Sequence, residues 1–268
     1  MSNFLTAVIS AIISGLLSGW AGNALGKKKK EEEVEEKEES ATQSAIALRS
    51  NEAGSRFGWR AEKVSARMDV INEEGDSVVK RCWRNIKPSE GIQMSHLGGT
   101  FWVGTPGGKV SSPPKMSMPS YFPKDVRLNY VKENDKKYRY NVNITGDLTN
   151  NDPPLDYDVE ADYTGNVLMS EREIKEAYKN DIFKYDYFVF DVNTPIDDIS
   201  LEVTFPRSVE VDLYPGVFYG DSEVQNDQEL QRVSDGFETT PTGARLTVAN
   251  PLLGFRYFIY WTPPSIAS

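Results

Sequence analysis

Residues 155–163 read LDYDVEADY, a stretch in which apolar or aromatic side chains alternate with acidic ones without a break. A period of two belongs to a β-strand, whose successive side chains point to opposite faces. The alternation puts Asp156, Asp158, Glu160 and Asp162 on one face and Tyr157, Val159, Ala161 and Tyr163 on the other. A helix would scatter both sets around its circumference, so this segment demands a sheet with one dry face and one wet face.

Weaker forms of the same signal recur. KVSARMDVIN (63–72) and SVVKRCWRNI (77–86) flank the turn residues EEGD and predict a hairpin. VRLNYVKEN (126–134) and KYRYNVNITG (137–146) predict a second. FWVG (101–104), YDYFVFDV (185–192), ISLEVTFP (199–206), VEVDLYPGVFY (209–219), ARLTVAN (244–250) and FRYFIYW (255–261) complete about ten strands. The Pro- and Gly-rich run TPGGKVSSPPKMSMPSYFP between the hairpins predicts a long surface loop. One body helix is expected where Ser170 and Glu173 form the S-x-x-E capping box of MSEREIKEAYKND. The fold class expected is mainly β: an antiparallel β-sandwich, one large or two small, with one short helix.

Few chemistries are open to such a body. The chain has 268 residues with one His and one Cys, which leaves no usual zinc set, no His-based triad and no internal disulfide. No catalytic residue, metal or cofactor is expected. Forty acidic against thirty basic residues give a net charge of −10, which argues against nucleic acid as partner. The four carboxylates of residues 156–162 repeat every 6.6–6.8 Å or so, too far apart to wrap one calcium ion unaided. They are expected to face solvent or basic side chains of a neighbouring strand or subunit. His96, beside a Gly pair, and Cys82, within a strand, are expected to be structural. TPGGK (105–109) lacks the strand-to-helix context of a phosphate-binding loop.

The N-terminal region differs in kind. No residue from Phe4 to Leu25 is charged. As a helix this segment would be roughly 33 Å long, near the hydrocarbon thickness of a bilayer. At 100° per residue, Leu5, Val8, Ile9, Ile12, Ile13, Leu16 and Trp20 share one half. Thr6, Ala7, Ser10, Ala11, Ser14, Gly15, Ser18 and Gly22 share the other, with Leu17 at the border and Phe4 and Leu25 breaking the rule at the ends. The Ser10/Ser14/Ser18 series and Gly15-x-x-x-Gly19 are small-xxx-small patterns, which let membrane helices approach closely. Lys27, Lys28, Lys29 and Lys30 follow at once and, by the positive-inside bias, would hold the body in the cytoplasm of a cell whose inner membrane the helix enters. A secretory leader is disfavoured because its basic region should precede the apolar run. A plain anchor and a soluble amphipathic helix remain open. The domains expected are 1–26, an apolar transmembrane helix; 27–54, a charged linker or helix; and two β regions, 55–150 and 151–268.

Two segments of the body carry a resemblance. Pro195, Ile199, Leu201, Val203, Phe205 and Pro206 precede a closing P-x-x-G-x-x-Y-x-I-x-W, here Pro251, Gly254, Tyr257, Ile259 and Trp261. With the hairpin segment DVINEEGDSVVKR they resemble a β-rich accessory module of bacterial conflict and defence proteins, over roughly residues 60–264. The resemblance implies no enzyme activity and carries over no catalytic residue. It implies a setting beside proteases or nucleotide-binding switch domains.

Together these readings lead to one expectation of function: a non-enzymatic, membrane-associated effector of bacterial antiphage defence. Its N-terminal helix would enter lipid and oligomerise, as a pore or as an anchor, under control of the β body. Control by a protease partner would act at Arg49, Arg56 or Arg60, in the stretch from Lys27 to Arg60. The alternative is a soluble structural or assembly protein whose N-terminal helix packs in an oligomer core.

Overall fold

The computed structural model describes residues 58–103, 105, 107–165, 167–177, 185–219 and 227–266. All of them fall in one compact unit, Arg49–Ser268. The expected transmembrane helix, its lysines and the linker sites Arg49 and Arg56 lie outside the described residues.

The first hairpin forms as the pattern requires. β1 (Trp59–Val70) and β2 (Ser77–Pro88) pair antiparallel from Val70↔Ser77 onward. Their turn is held by Asn72, whose side chain accepts the Asp76 N–H at 2.9 Å and donates to the Asp76 carboxylate at 3.0 Å. β3 (Met94–Trp102) follows, then two short strands, β4 (Lys109–Val110) and β5 (Lys115–Ser117). The stretch expected to be irregular loop therefore adds two strands to a sheet edge. Both pair with β8 (Leu155–Thr164), which bonds residues that their own Pro- and Gly-rich context would leave unstructured.

The second hairpin is β6 (Val126–Asn134) with β7 (Lys137–Leu148), and β3 pairs with the far side of β7. α1 (Glu171–Ala177) carries the capping box in full. Ser170 Oγ accepts the Glu173 N–H at 3.3 Å, while the Glu173 carboxylate accepts the Ser170 N–H at 2.8 Å. Next come β9 (Asp186–Asp191), β10 (Ile196–Thr204), β11 (Val209–Glu210) and β12 (Leu213–Tyr219). α2 (Asp227–Asp235), β13 (Phe237–Thr240), β14 (Gly243–Ala249), β15 (Phe255–Trp261) and β16 (Ser265–Ile266) complete the described elements. α2 and β13 had no counterpart in the sequence reading.

The largest sheet runs β13-β14-β10-β1-β2-β8-β4, with β5 also on β8. Two further sheets run β3-β7-β6 and β12-β15-β9, and β11 pairs with β16. The fold is thus mainly β, but it is not wholly antiparallel: β1 and β10 run parallel from Ala61↔Ile196 to Asp69↔Thr204. The pair lies in mid-sheet and joins segments more than 130 residues apart. Strands from both sides of the expected boundary at residue 150 share this sheet.

The large sheet has two chemically distinct faces. The wet face is laced with ion pairs, Arg245–Glu202 at 2.8 Å, Arg67–Glu202 at 3.4 Å and Lys80–Asp158 at 2.9 Å. The dry face presents Val64, Ala66, Met68, Leu201, Val203, Leu246, Tyr157 and Val159, all buried. Burial of such side chains contributes about 1.5–3 kcal/mol each and is what holds the sheets together. The motif residues Tyr257, Ile259 and Trp261 are wholly buried, and the Trp261 ring meets Phe205 edge-on at 5.2 Å. The Tyr257 hydroxyl accepts the Leu252 N–H at 2.7 Å, fixing the β14–β15 connection.

Candidate functional site

The dry face of β2 departs from the rule that governs its neighbours. Alternation along Val79, Arg81 and Trp83 points a guanidinium to the side on which the facing residues of β1 and β8, Val64, Ala66, Met68, Tyr157, Val159 and Ala161, are uncharged. A cleft of about 810 Å³ lies over this spot. Its floor is β2 and β8, one wall is β3 with β7, and the opposite wall is β9 with β15. β3 and β9 are both outer strands of their three-stranded sheets, so the cleft opens between two strand edges.

Arg81 is fixed rather than loose. Its Nη1 donates to the Thr100 carbonyl at 2.8 Å, and its guanidinium lies 5.0 Å from the centre of the Phe101 ring. The Tyr140 side chain packs against Gly99, where a Cβ would sit 2.3 Å from the Tyr140 hydroxyl. Burial pushes the hydroxyls of Tyr140, Tyr157 and Tyr163 above the usual phenol range, and the Arg81 charge opposes the shift in all three. These tyrosines therefore stay neutral and cannot balance the guanidinium. Among the described residues no carboxylate lies within 4.0 Å of Arg81. The other two cations of the cleft are neutralised, Lys137 by Glu133 at 2.8 Å and Arg256 by Asp191 at 3.0 Å.

Aromatic rings make up much of the remaining surface. Trp83 lies near-parallel to Tyr157, with centroids 6.3 Å apart and planes at 17°, and tilts against Phe190 at 6.2 Å and Trp59 at 5.9 Å. Trp102 stands at the rim and is 56% exposed. Three polar atoms in these walls, Arg81 Nε, Trp83 Nε1 and Thr194 Oγ1, are buried without a hydrogen-bond partner. Such groups are few in folded proteins and each calls for an explanation.

Asp186, at the start of β9, also borders the cleft and is buried. Its carboxyl accepts the N–H of Tyr187 at 2.9 Å and of Met169 at 3.4 Å, and bonds the N–H of Leu168. Burial raises it to about 7, against those hydrogen bonds. Leu168 has φ of +66°, a left-handed conformation unfavourable for a side chain of its kind, and the Asp186 carboxyl is what ties this turn down.

The residues singled out from sequence are placed as follows. Two of the four carboxylates of β8 face basic side chains: Asp158 pairs with Lys80 and Arg84, at 2.9 and 2.6 Å, and Asp162 with Lys115 at 3.6 Å, while Asp156 accepts the Asn85 N–H at 2.7 Å. Among the described residues no three His, Cys, Asp or Glu side chains gather as a metal ion would require. His96 is exposed and bonds Ser95. Cys82 is half-buried, and burial together with the neighbouring Asp158 raises its thiol, so it is not an activated nucleophile. Arg60, expected in an open linker, is the second residue of β1, in register with Lys87 and ion-paired with Asp197 at 3.3 Å. Cleavage after it would first require that end of the sheet to open. Thr6, Ser10, Ser14, Gly15, Ser18, Gly19 and Trp20 lie outside the described residues. Arg81 was missed, although the alternation Val79-Arg81-Trp83 placed it with apolar neighbours; the signal was one charge out of phase in a strand with charges on both sides.

No protein family's model matches the chain, and no curated protein does. Among solved structures it is similar to a two-domain M1 zinc metallopeptidase mutant bound to L-tryptophan, with 11% identity and a TM-score of 0.34. That alignment covers 76% of this chain and 43% of that one. An M1 zinc metallopeptidase mutant from Deinococcus radiodurans matches at 10% identity and TM-score 0.33, over 77% and 43%. Leukotriene A4 hydrolase from Saccharomyces cerevisiae matches at 8% identity and TM-score 0.35, over 76% and 29%. The chain spans less than half the length of these proteins, and overlaps of this extent assign neither a family nor an activity.

Proposed function

We propose that the chain is a non-enzymatic, membrane-associated effector of bacterial antiphage defence. Its N-terminal segment enters the inner membrane as a helix and self-associates, and its β body, held in the cytoplasm, governs when it does so. The observation that carries this is the division of residues 4–25 into a bulky face and a face of Ser, Gly and Ala, with no charge until Lys27. A simple anchor has no need of that division. We take the body to be a β-sandwich that serves as the control module. Ring contacts between sheets, Trp83 with Phe190 and Phe101 with Tyr163, support this, as does the resemblance to accessory modules.

Cell fractionation tests the proposal. The full chain belongs in the membrane fraction and moves to the soluble fraction on deletion of residues 1–26. A full chain that stays soluble without detergent and ignores liposomes refutes it. Liposome dye release, abolished by bulky replacements at Ser10, Ser14 and Ser18, separates a pore from an anchor.

A second reading, a soluble assembly protein with its N-terminal helix in an oligomer core, is favoured by one surface. On β12-β15-β9, Tyr260 meets both Tyr185 and Tyr214 at 5.2 Å, and the latter two are 39% and 41% exposed. An exposed row of stacked tyrosines suits a protein interface.

A further inference from the structure

We propose that the cleft over β2 binds a small aromatic anion, with Arg81 taking the anionic group and the Trp83–Tyr157 floor taking the ring. The inference concerns the β body alone and is independent of the membrane reading.

The first argument is charge. A chain of net charge −10 places Arg81 on the dry face of its eight-stranded sheet with no carboxylate partner among the described residues, while Lys137 and Arg256 in the same cleft each have one. Arg81 is half-buried and its guanidinium lines the cleft, so its charge is open to an anion that enters there. The three neighbouring tyrosines are neutral, so that anion would come from outside the cleft. The second argument is preorganisation. Thr100 and Phe101 clamp the guanidinium. Little side-chain freedom is therefore lost when a ligand binds.

Shape supplies the third. About 810 Å³ is within the range of small-molecule sites, and the walls are flat rings with few polar groups, which suits a planar molecule. Arg81 and Trp83 are two apart on one strand face, about 6.6–6.8 Å, so a molecule of fused-ring size reaches both. A planar carboxylate, sulfonate or phosphate ester fits this chemistry; a neutral ring leaves the guanidinium unpaired. A polycation has nothing to pair with, because Asp191 is taken by Arg256 and Asp186 by backbone N–H groups.

Indole-3-acetate and its uncharged counterpart indole-3-acetamide serve as probes, titrated into the full chain in non-ionic detergent by calorimetry, against a detergent-only blank. The acid is expected to bind about ten- to a hundredfold tighter than the amide, the range of one charge-assisted hydrogen-bonded pair. Arg81→Gln, which keeps an N–H donor for the Thr100 carbonyl, should erase that preference. Trp83→Leu should weaken both probes and keep their ratio. The proposal is overturned if neither probe binds up to about 5 mM, or if acid and amide bind alike. It is equally overturned if folded Arg81→Gln retains the preference. Should that variant fail to fold by circular dichroism, unchanged affinity of Trp83→Leu for both probes overturns the site.

Discussion

Asp186→Asn should remove one loss of stability that grows with pH. The Asp186 carboxyl is buried and raised from an ordinary value of 3.8 to about 7, chiefly by desolvation. In the folded protein it keeps its proton where the unfolded chain has lost it. Its contribution is therefore greatest below about pH 4 and falls as pH rises to about 7. Just over three pH units at 1.36 kcal/mol each amount to about 4 kcal/mol between those limits. Asparagine never ionises, but it offers one acceptor oxygen where the carboxylate offers two for Tyr187, Met169 and Leu168, a loss of about 1 kcal/mol. The variant should be about as stable as wild type near pH 4.5 and more stable by about 3 kcal/mol at pH 8. Urea unfolding followed by tryptophan fluorescence from pH 4.5 to 8 measures this, with the difference between the two proteins taken at each pH. Other titrations cancel in that difference; Asp152, held near 2 by Lys124 and Thr149, acts below this window in any case. A difference that does not change with pH would show that Asp186 is solvated or meets a cation, and would refute the burial argument.

Two other substitutions probe local devices. Gly99→Ala puts a Cβ at 2.3 Å from the Tyr140 ring; a loss of about 1–3 kcal/mol is expected from overpacking, and an unchanged urea midpoint would show that Tyr140 swings away freely. Ser170→Ala removes the hydroxyl that accepts the Glu173 N–H and should cost about 1 kcal/mol. A thermal melt checks it, and a titration of Glu173 should find its carboxylate released upward from its lowered value.

What was legible in the sequence was local. The alternation in LDYDVEADY determined β8 and both of its faces, residue by residue, because a strand's period is set by backbone geometry alone. The same logic located both hairpins, whose partners are neighbours in the chain, and the capping box located α1, a contact spanning three residues. Composition bounded the chemistry, because one His and one Cys leave no usual zinc set and no His-based triad in this sequence. The parallel pairing of β1 with β10 was beyond reach, since nothing local in either strand marks a partner more than 130 residues away. β4 and β5 were equally hidden: their residues are poor strand formers and are ordered by the free edge of β8. Arg81 shows the division most clearly. Alternation alone sets it on the face of Val79 and Trp83. That this face becomes a cleft instead of solid core depends on two other sheets leaving their edges, β3 and β9, apart above it, and only long-range packing decides such a spacing.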